Sequence, residues 1–238
     1  MADKEEKVGA LKKIVILHGW TCSLDKWSRF IDLLEEGGFE VELPKIPGLT
    51  QESNESWSLD KYTNWLKELL DKYENKIVLL GHSNGGRIAV NYAAKYPNKL
   101  EKLILIDSAG IYHNELPIRL KRIVFKNLSN VGKRFTKSGV ARKMLYKIAR
   151  EGDYEQANEN MKKTITNLIN TDIKPILGEI KVPTLIIWGG NDKITSIKDA
   201  YLMNKLIKKS KLHIIKNARH SPFFTNFDEV IKIIKNDI

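Results

Sequence analysis

Residues 79–86 read Leu-Leu-Gly-His-Ser-Asn-Gly-Gly, with Gly81 and Gly85 flanking Ser83. An apolar run, Ile77 to Leu80, precedes the serine, and a helix-like stretch, Arg87 to Tyr96, follows it. A serine on a sharp strand-to-helix turn is held in a strained conformation at a helix N-terminus, where developing negative charge is favoured. That is a setting for nucleophilic attack. The hydroxyl alone is a poor nucleophile at neutral pH and needs a general base, which in turn needs an orienting acid. Two loops supply these groups. His220 lies in Lys216-Asn217-Ala218-Arg219-His220-Ser221-Pro222, after the apolar run Leu212–Ile215, and is the candidate base. Asp192 ends Gly189-Gly190-Asn191-Asp192, after the run Thr184–Trp188, and is the candidate acid. The oxyanion of an acyl-transfer intermediate needs two N–H donors. Asn84, directly after the serine, offers one. Trp20, in the His18-Gly19-Trp20 loop after Ile14–Leu17, offers the other.

These groups are far apart in the chain, so the fold must bring them together. Strand-like runs occur at Lys13–Leu17, Phe39–Leu43, Ile77–Leu80, Leu103–Ile106, Thr184–Trp188 and Leu212–Ile215. The central runs are continuously apolar, which suits parallel strands buried on both faces. Helical patterns separate them. Ser58 is placed to cap a helix with Leu59, Tyr62, Trp65, Leu66, Leu69 and Leu70 on its apolar side. A last helix is expected to follow Pro222 and run through Val230, Ile233 and Ile234. Alternating strand and helix predicts an α/β fold in which a parallel sheet is covered by helices on both faces, with sites at the carboxyl ends of the strands. More than seventy residues between Ile106 and Thr184 have no convincing strand. Apolar residues recur there at helical spacing, as in Val140, Met144, Leu145 and Ile148, and again in Met161, Ile165, Leu168 and Ile169. The expectation is a helical insertion over 111–178 lying across the strand ends, with residues 1–110 and 179–238 as the core.

With its His18-Gly19-Trp20 loop, Gly81–Gly86 turn, Lys181–Gly189 stretch, Asp192 and His220, nearly the whole chain resembles the α/β-hydrolase family. Within it the look is that of small capped serine esterases, and Leu17-His18-Gly19-Trp20 with Trp27 is similar to the pimeloyl-ACP methyl ester esterases. The resemblance implies a mostly parallel sheet of about six to eight strands and a helical cap after the sixth. It implies a Ser-His-Asp triad in the chain order serine, acid, histidine. It also makes Asp107 a rival acid, since some members keep the acid at the end of the sixth strand. Phe125, Met144 and Leu145 of the cap are expected near the acyl pocket. The implied reaction is carboxylic ester hydrolysis through an acyl-enzyme. Perhydrolysis, acyl transfer and C–C bond hydrolysis use the same triad, and a non-enzymatic receptor of this fold is the reading of another class. The chain departs from the family at Arg219, where a glycine is usual, and at Ile194-Thr195, where a proline often stands. The N-terminal antiparallel strand pair is short or missing. His18 and His82 are expected to be structural, and His113 and His213 to face solvent.

The net charge is +11, and its location says more than its size. Eleven of the 40 Lys and Arg fall within 119–150, which has no Asp or Glu, so the other 29 match the chain's 29 acidic residues. Such a segment is a solvated helical face, a docking surface for an acidic partner or a surface for anionic membrane lipid, and the esterase resemblance implies an acidic carrier protein. No nucleic-acid-binding module accompanies it. Cys22 is the one cysteine, so there is no intrachain disulfide, and it is expected to be a buried inert thiol. Neither a metal-ligand spacing nor a phosphate-binding loop is present, so no cofactor is expected. Without a leader-like or spanning apolar run, the expected location is the cytoplasm.

Overall fold

The computed structural model describes residues 11–20, 24–112 and 158–238. Cys22, His113, the basic segment 119–150 and the expected pocket residues Phe125, Met144 and Leu145 lie outside them. Six strands form one wholly parallel sheet: β1 (Lys12–Leu17), β2 (Phe39–Glu42), β3 (Ile77–His82), β4 (Leu100–Ile106), β5 (Thr184–Gly189) and β6 (Ser210–Ile215), in the order β2-β1-β3-β4-β5-β6. Each expected run is a strand. β4 begins three residues before its apolar run, because Glu101 and Lys102 are satisfied by ion pairs to Lys12 and Asp237. The long break in the strand pattern follows β4, which is fourth among the described strands.

Buried strands show their two-residue period in which face each side chain enters. Ile14, Ile16, Val78, Leu80, Ile104 and Ile106 pack on one side with α1 (Ser28–Glu35) and the C-terminal helix, through Phe30, Leu34, Val230 and Ile234. Val15, Leu17, Leu79, Leu103 and Leu105 face the other side. There they meet α2 (Leu59–Asp71) through Leu66 and Leu70, and α3 (Asn84–Lys95) through Ile88 and Ala89. The Ser58 side chain accepts from the Lys61 N–H, capping α2 as its position predicts.

Of the stretch expected to be a helical insertion, the described residues include α4 (Glu159–Ile169) and most of a 3-10 turn at Lys174–Glu179. Leu168, Ile173 and Leu177 are fully buried in the same core cluster as the sheet and α3, so this part of the chain packs onto the sheet's helical layer. Ile169, expected on the apolar side, is exposed at the end of α4. After β5 comes α5 (Ile197–Leu206). The last helix is two pieces, α6 (Pro222–Thr225) and α7 (Phe227–Asp237). Asn226 breaks them at φ −134°, ψ 39°, which turns Phe223 back onto Trp27 while Val230 and Ile234 still reach the sheet. No described helix is long and apolar enough to cross a membrane.

The strand order reverses direction between β1 and β3. Loops leaving neighbouring strands there run to opposite faces and open a crevice at the carboxyl ends. His18-Gly19-Trp20 follows β1 and Ser83 follows β3, so both lie at this switch point.

Candidate active site

Ser83 stands between β3 and α3 at φ 53°, ψ −120°, a left-sided conformation unusual for a residue with a side chain. The surroundings hold it there. Its N–H donates to Ile106 O at 3.2 Å, and its carbonyl accepts from Gly86 at 3.0 Å and Ala109 at 2.9 Å. A Cβ on Gly85 would run into the Leu17 carbonyl, so only glycine lets α3 start this close to β1. The strained φ/ψ is thus imposed by packing on three neighbouring segments. It leaves the Ser83 side chain part-exposed while its neighbours Gly81, His82 and Gly85 are buried.

His220 reaches Ser83 from the loop after β6. Its Nε2 is 3.0 Å from Ser83 Oγ, and its Nδ1 is 2.7 Å from Asp192 Oδ2. A carboxylate only accepts, so Nδ1 carries the proton and Nε2 is left to accept from the serine hydroxyl. The histidine loop is stitched to the acid loop by Asn191 N–H to Ala218 O at 2.8 Å and Gly190 N–H to Ile215 O at 2.9 Å. It is stitched to the serine turn by His82, whose Nε2 lies 2.7 Å from the His220 carbonyl. His82 is therefore structural, packed edge-on against Phe223 and Trp27. His213 is exposed on the edge strand.

Asp192 receives four donors. Oδ1 accepts from Ile194 N–H at 2.7 Å and Thr195 N–H at 3.2 Å, and Oδ2 accepts from His220 Nδ1 and, at 2.5 Å, from Thr195 Oγ1. Burial alone would raise its pKa, but the His220 imidazole, the Thr195 hydroxyl and the Ile194 amide outweigh it, and the carboxyl lies below its ordinary value. Asp107, the rival acid, has no hydrogen bond to His220. It sits fully buried at φ 43°, with Oδ1 accepting from Gly189 N–H at 2.8 Å. Burial drives its pKa up to about 8, the Gly189 amide opposes this, and the Asp192 charge adds to it.

Of the two expected oxyanion donors, Asn84 opens α3, where the first N–H groups of a helix have no intrahelical acceptor. Gly19, joined to Trp20, lies against the serine: a Cβ there would be 2.9 Å from Ser83 Cβ and 3.3 Å from Oγ. Donor atoms of His82, Asp107 and His220 also fall within 4.8 Å of one another. Both His220 nitrogens are occupied by Ser83 and Asp192, and His82 Nε2 by a carbonyl, so the cluster is hydrogen-bonded packing rather than a metal centre.

Two residues here escaped the sequence reading. Thr195 stood out only as a position where a proline often occurs, yet its hydroxyl donates to Asp192 Oδ2 and lies 3.3 Å from His220 Nδ1, between the acid and histidine loops. Thr50 carried no motif signal, and its Oγ1 lies 3.0 Å from His18 Nε2. The contacts of both join segments that no local spacing connects.

The profile of the alpha/beta hydrolase fold matches residues 12–227. The pimeloyl-[acyl-carrier protein] methyl ester esterase of Wigglesworthia glossinidia brevipalpis is 28% identical, over 93% of this chain and 92% of that protein. Lipase 1 of Psychrobacter immobilis is 26% identical, over 91% of this chain and 73% of its own length. Among solved structures, MenH from S. aureus superposes with a TM-score of 0.71 at 26% identity, covering 97% of this chain and 94% of the other.

Proposed function

The chain belongs to the alpha/beta hydrolase fold family, and from that premise we propose that it is a serine hydrolase that cleaves carboxylic esters through an acyl-enzyme. The observation that carries this reading is His220 lying between Ser83 Oγ, at 3.0 Å, and Asp192 Oδ2, at 2.7 Å. Ser83 Oγ attacks the ester carbonyl carbon while His220 Nε2 takes its proton. The oxyanion is received by the N–H groups of Trp20 and Asn84. Collapse of the tetrahedral intermediate breaks the C–O bond, and His220 returns the proton to the leaving alcohol. Water, deprotonated by His220, then attacks the acyl carbonyl and frees Ser83. Asp192 keeps its charge throughout, fixing the ring orientation and stabilising the imidazolium.

The relatives named above as an esterase and a lipase support ester hydrolysis as the use of this arrangement. Residues 111–178 are read as a cap whose Phe125, Met144 and Leu145 line the acyl side. The protein is read as cytoplasmic, and its basic segment 119–150 as a dock for an acidic acyl carrier protein, a reading supported by the acyl-carrier protein in the esterase relative's name. Replacing Ser83 by alanine is expected to abolish turnover of a short p-nitrophenyl ester with an unchanged circular dichroism spectrum. Retained turnover would overturn the reading. Charge reversal at Arg122, Lys126 and Arg134 is expected to slow hydrolysis of a carrier-bound ester and spare a free one. An equal loss on both would remove the docking role.

A further inference from the structure

We propose that His18 and Thr50 form a clamp that sets the direction of the Gly19–Trp20 peptide beside Ser83. The inference rests on the serine-hydrolase reading and assigns a positioning residue to it. His18 directly follows β1, and its side chain is entirely buried. Its Nδ1 is 2.6 Å from the Gly19 carbonyl oxygen. A carbonyl cannot donate, so Nδ1 bears the ring's proton. Nε2 then presents a lone pair, and Thr50 Oγ1 donates to it across 3.0 Å. The same hydroxyl accepts from Ile46 N–H at 3.1 Å. Every polar atom of the pair therefore has a partner, as a buried pair requires. Burial lowers its pKa to about 4, against the pull of the Gly19 and Pro44 carbonyls, so the ring is neutral at neutral pH.

The geometry of the peptide gives the clamp its consequence. In a trans peptide the C=O and N–H point to opposite sides. Gripping the Gly19 oxygen therefore fixes where the Trp20 N–H faces. Gly19 has no Cβ to resist a peptide flip, and it lies so close to the nucleophile that a Cβ on it would stand 2.9 Å from Ser83 Cβ. Without the clamp this peptide has two orientations, and only one offers an N–H to the oxyanion. Thr50 anchors the grip in a separate turn, where its own N–H reaches Ile46 O at 3.0 Å and Gly48 N–H reaches Gln51 O at 2.7 Å. Preorganised donors of this kind cost nothing to reorient during the reaction.

The test follows p-nitrophenyl ester kinetics and the rate at which a fluorophosphonate labels Ser83. His18→Leu is expected to lower kcat and labelling by about 10²-fold, the cost of losing one oxyanion donor. KM should stay within about threefold, because the donor acts on the transition state. His18→Asn carries an amide N–H where Nδ1–H stands and is expected to recover most of the loss. Thr50→Val should lower kcat by itself and add nothing in the His18→Leu background. Unchanged kcat in His18→Leu overturns the clamp, as does equal loss in the Leu and Asn variants. If neither His18 variant folds, Thr50→Val decides alone, and unchanged kcat in it overturns the clamp. A wild-type chain that the probe does not label overturns the serine-hydrolase reading itself, a result distinct from labelling that ignores His18.

Discussion

Asp107 and Asp192 follow adjacent parallel strands, β4 and β5, whose last paired residues are Ile106 and Ile187. Both side chains are out of contact with water. Their pKa values nonetheless move in opposite directions, up for Asp107 and down for Asp192. Burial pushes both upward, so it cannot be what brings Asp192 down. What differs is the number of donors: four N–H or O–H groups converge on Asp192, and one reaches Asp107. The loop after β5 turns back at Ile194 and Thr195, so its own amides face the carboxylate. The chain after β4 turns away through left-sided Asp107, whose carboxyl faces the strand ends instead. Once Asp192 is charged, a second charge beside it is penalised, and Asp107 stays protonated. Two carboxyls of one type thus divide into an ion hydrogen-bonded to His220 and a neutral group that fills the sheet end.

The sharpest way to break this contrast is Asp192→Asn. It keeps the shape and removes the charge, and kcat is expected to fall by about 10⁴-fold, because the amide favours the wrong histidine tautomer. A loss under about tenfold would mean that Asp107 can take over the role. Thr195→Val removes one of the four donors while leaving the backbone amides. It is expected to cost about tenfold in kcat, since a hydrogen bond to a charged group is worth on the order of 1.5–3 kcal/mol.

Stability against pH separates the two aspartates without kinetics. A carboxyl whose folded pKa is raised contributes stability that is present below its unfolded pKa and lost as pH rises through the folded value. For Asp107 that loss runs from about pH 4 to about 8. His18, lowered to about 4, works in the other direction, and its contribution is complete above about pH 6.5 and lost as pH falls. Below pH 6.5 the two slopes oppose each other. Between about pH 6.5 and 8 Asp107 acts without that opposition, and urea unfolding should show stability falling by on the order of 1 kcal/mol per pH unit. In Asp107→Asn this slope should vanish. The same variant carries the smallest expected kinetic effect, a kcat within about threefold of wild type at pH 7, because asparagine reproduces a neutral acid. A loss as large as that of Asp192→Asn would erase the distinction.

Much of this was legible in the residues. Six apolar runs became six strands because a sheet covered on both faces leaves no polar position in its central strands, and Ser58 capped its helix through a local hydrogen bond. Elements fixed by contacts distant in sequence were less legible. Lys102 looks like the end of a strand until Asp237 pairs with it, and the last helix looks continuous until Asn226 turns Phe223 onto Trp27. In the site, Ser83, Asp192 and His220 were marked by their places after apolar runs. Thr195 and Thr50 were not, because threonine is common and their partners, His220 and His18, lie 25 and 32 residues away.

By itself, the sequence determined the fold family, the six strands and which residue types stand at their carboxyl ends, since two-faced burial and glycine at tight turns leave local traces. Only the tertiary structure decided which aspartate is charged, how His220 is oriented and what holds the Gly19–Trp20 peptide. Those outcomes depend on how many donors meet in one buried place, and that number is set when separate loops pack, not when any one of them is written.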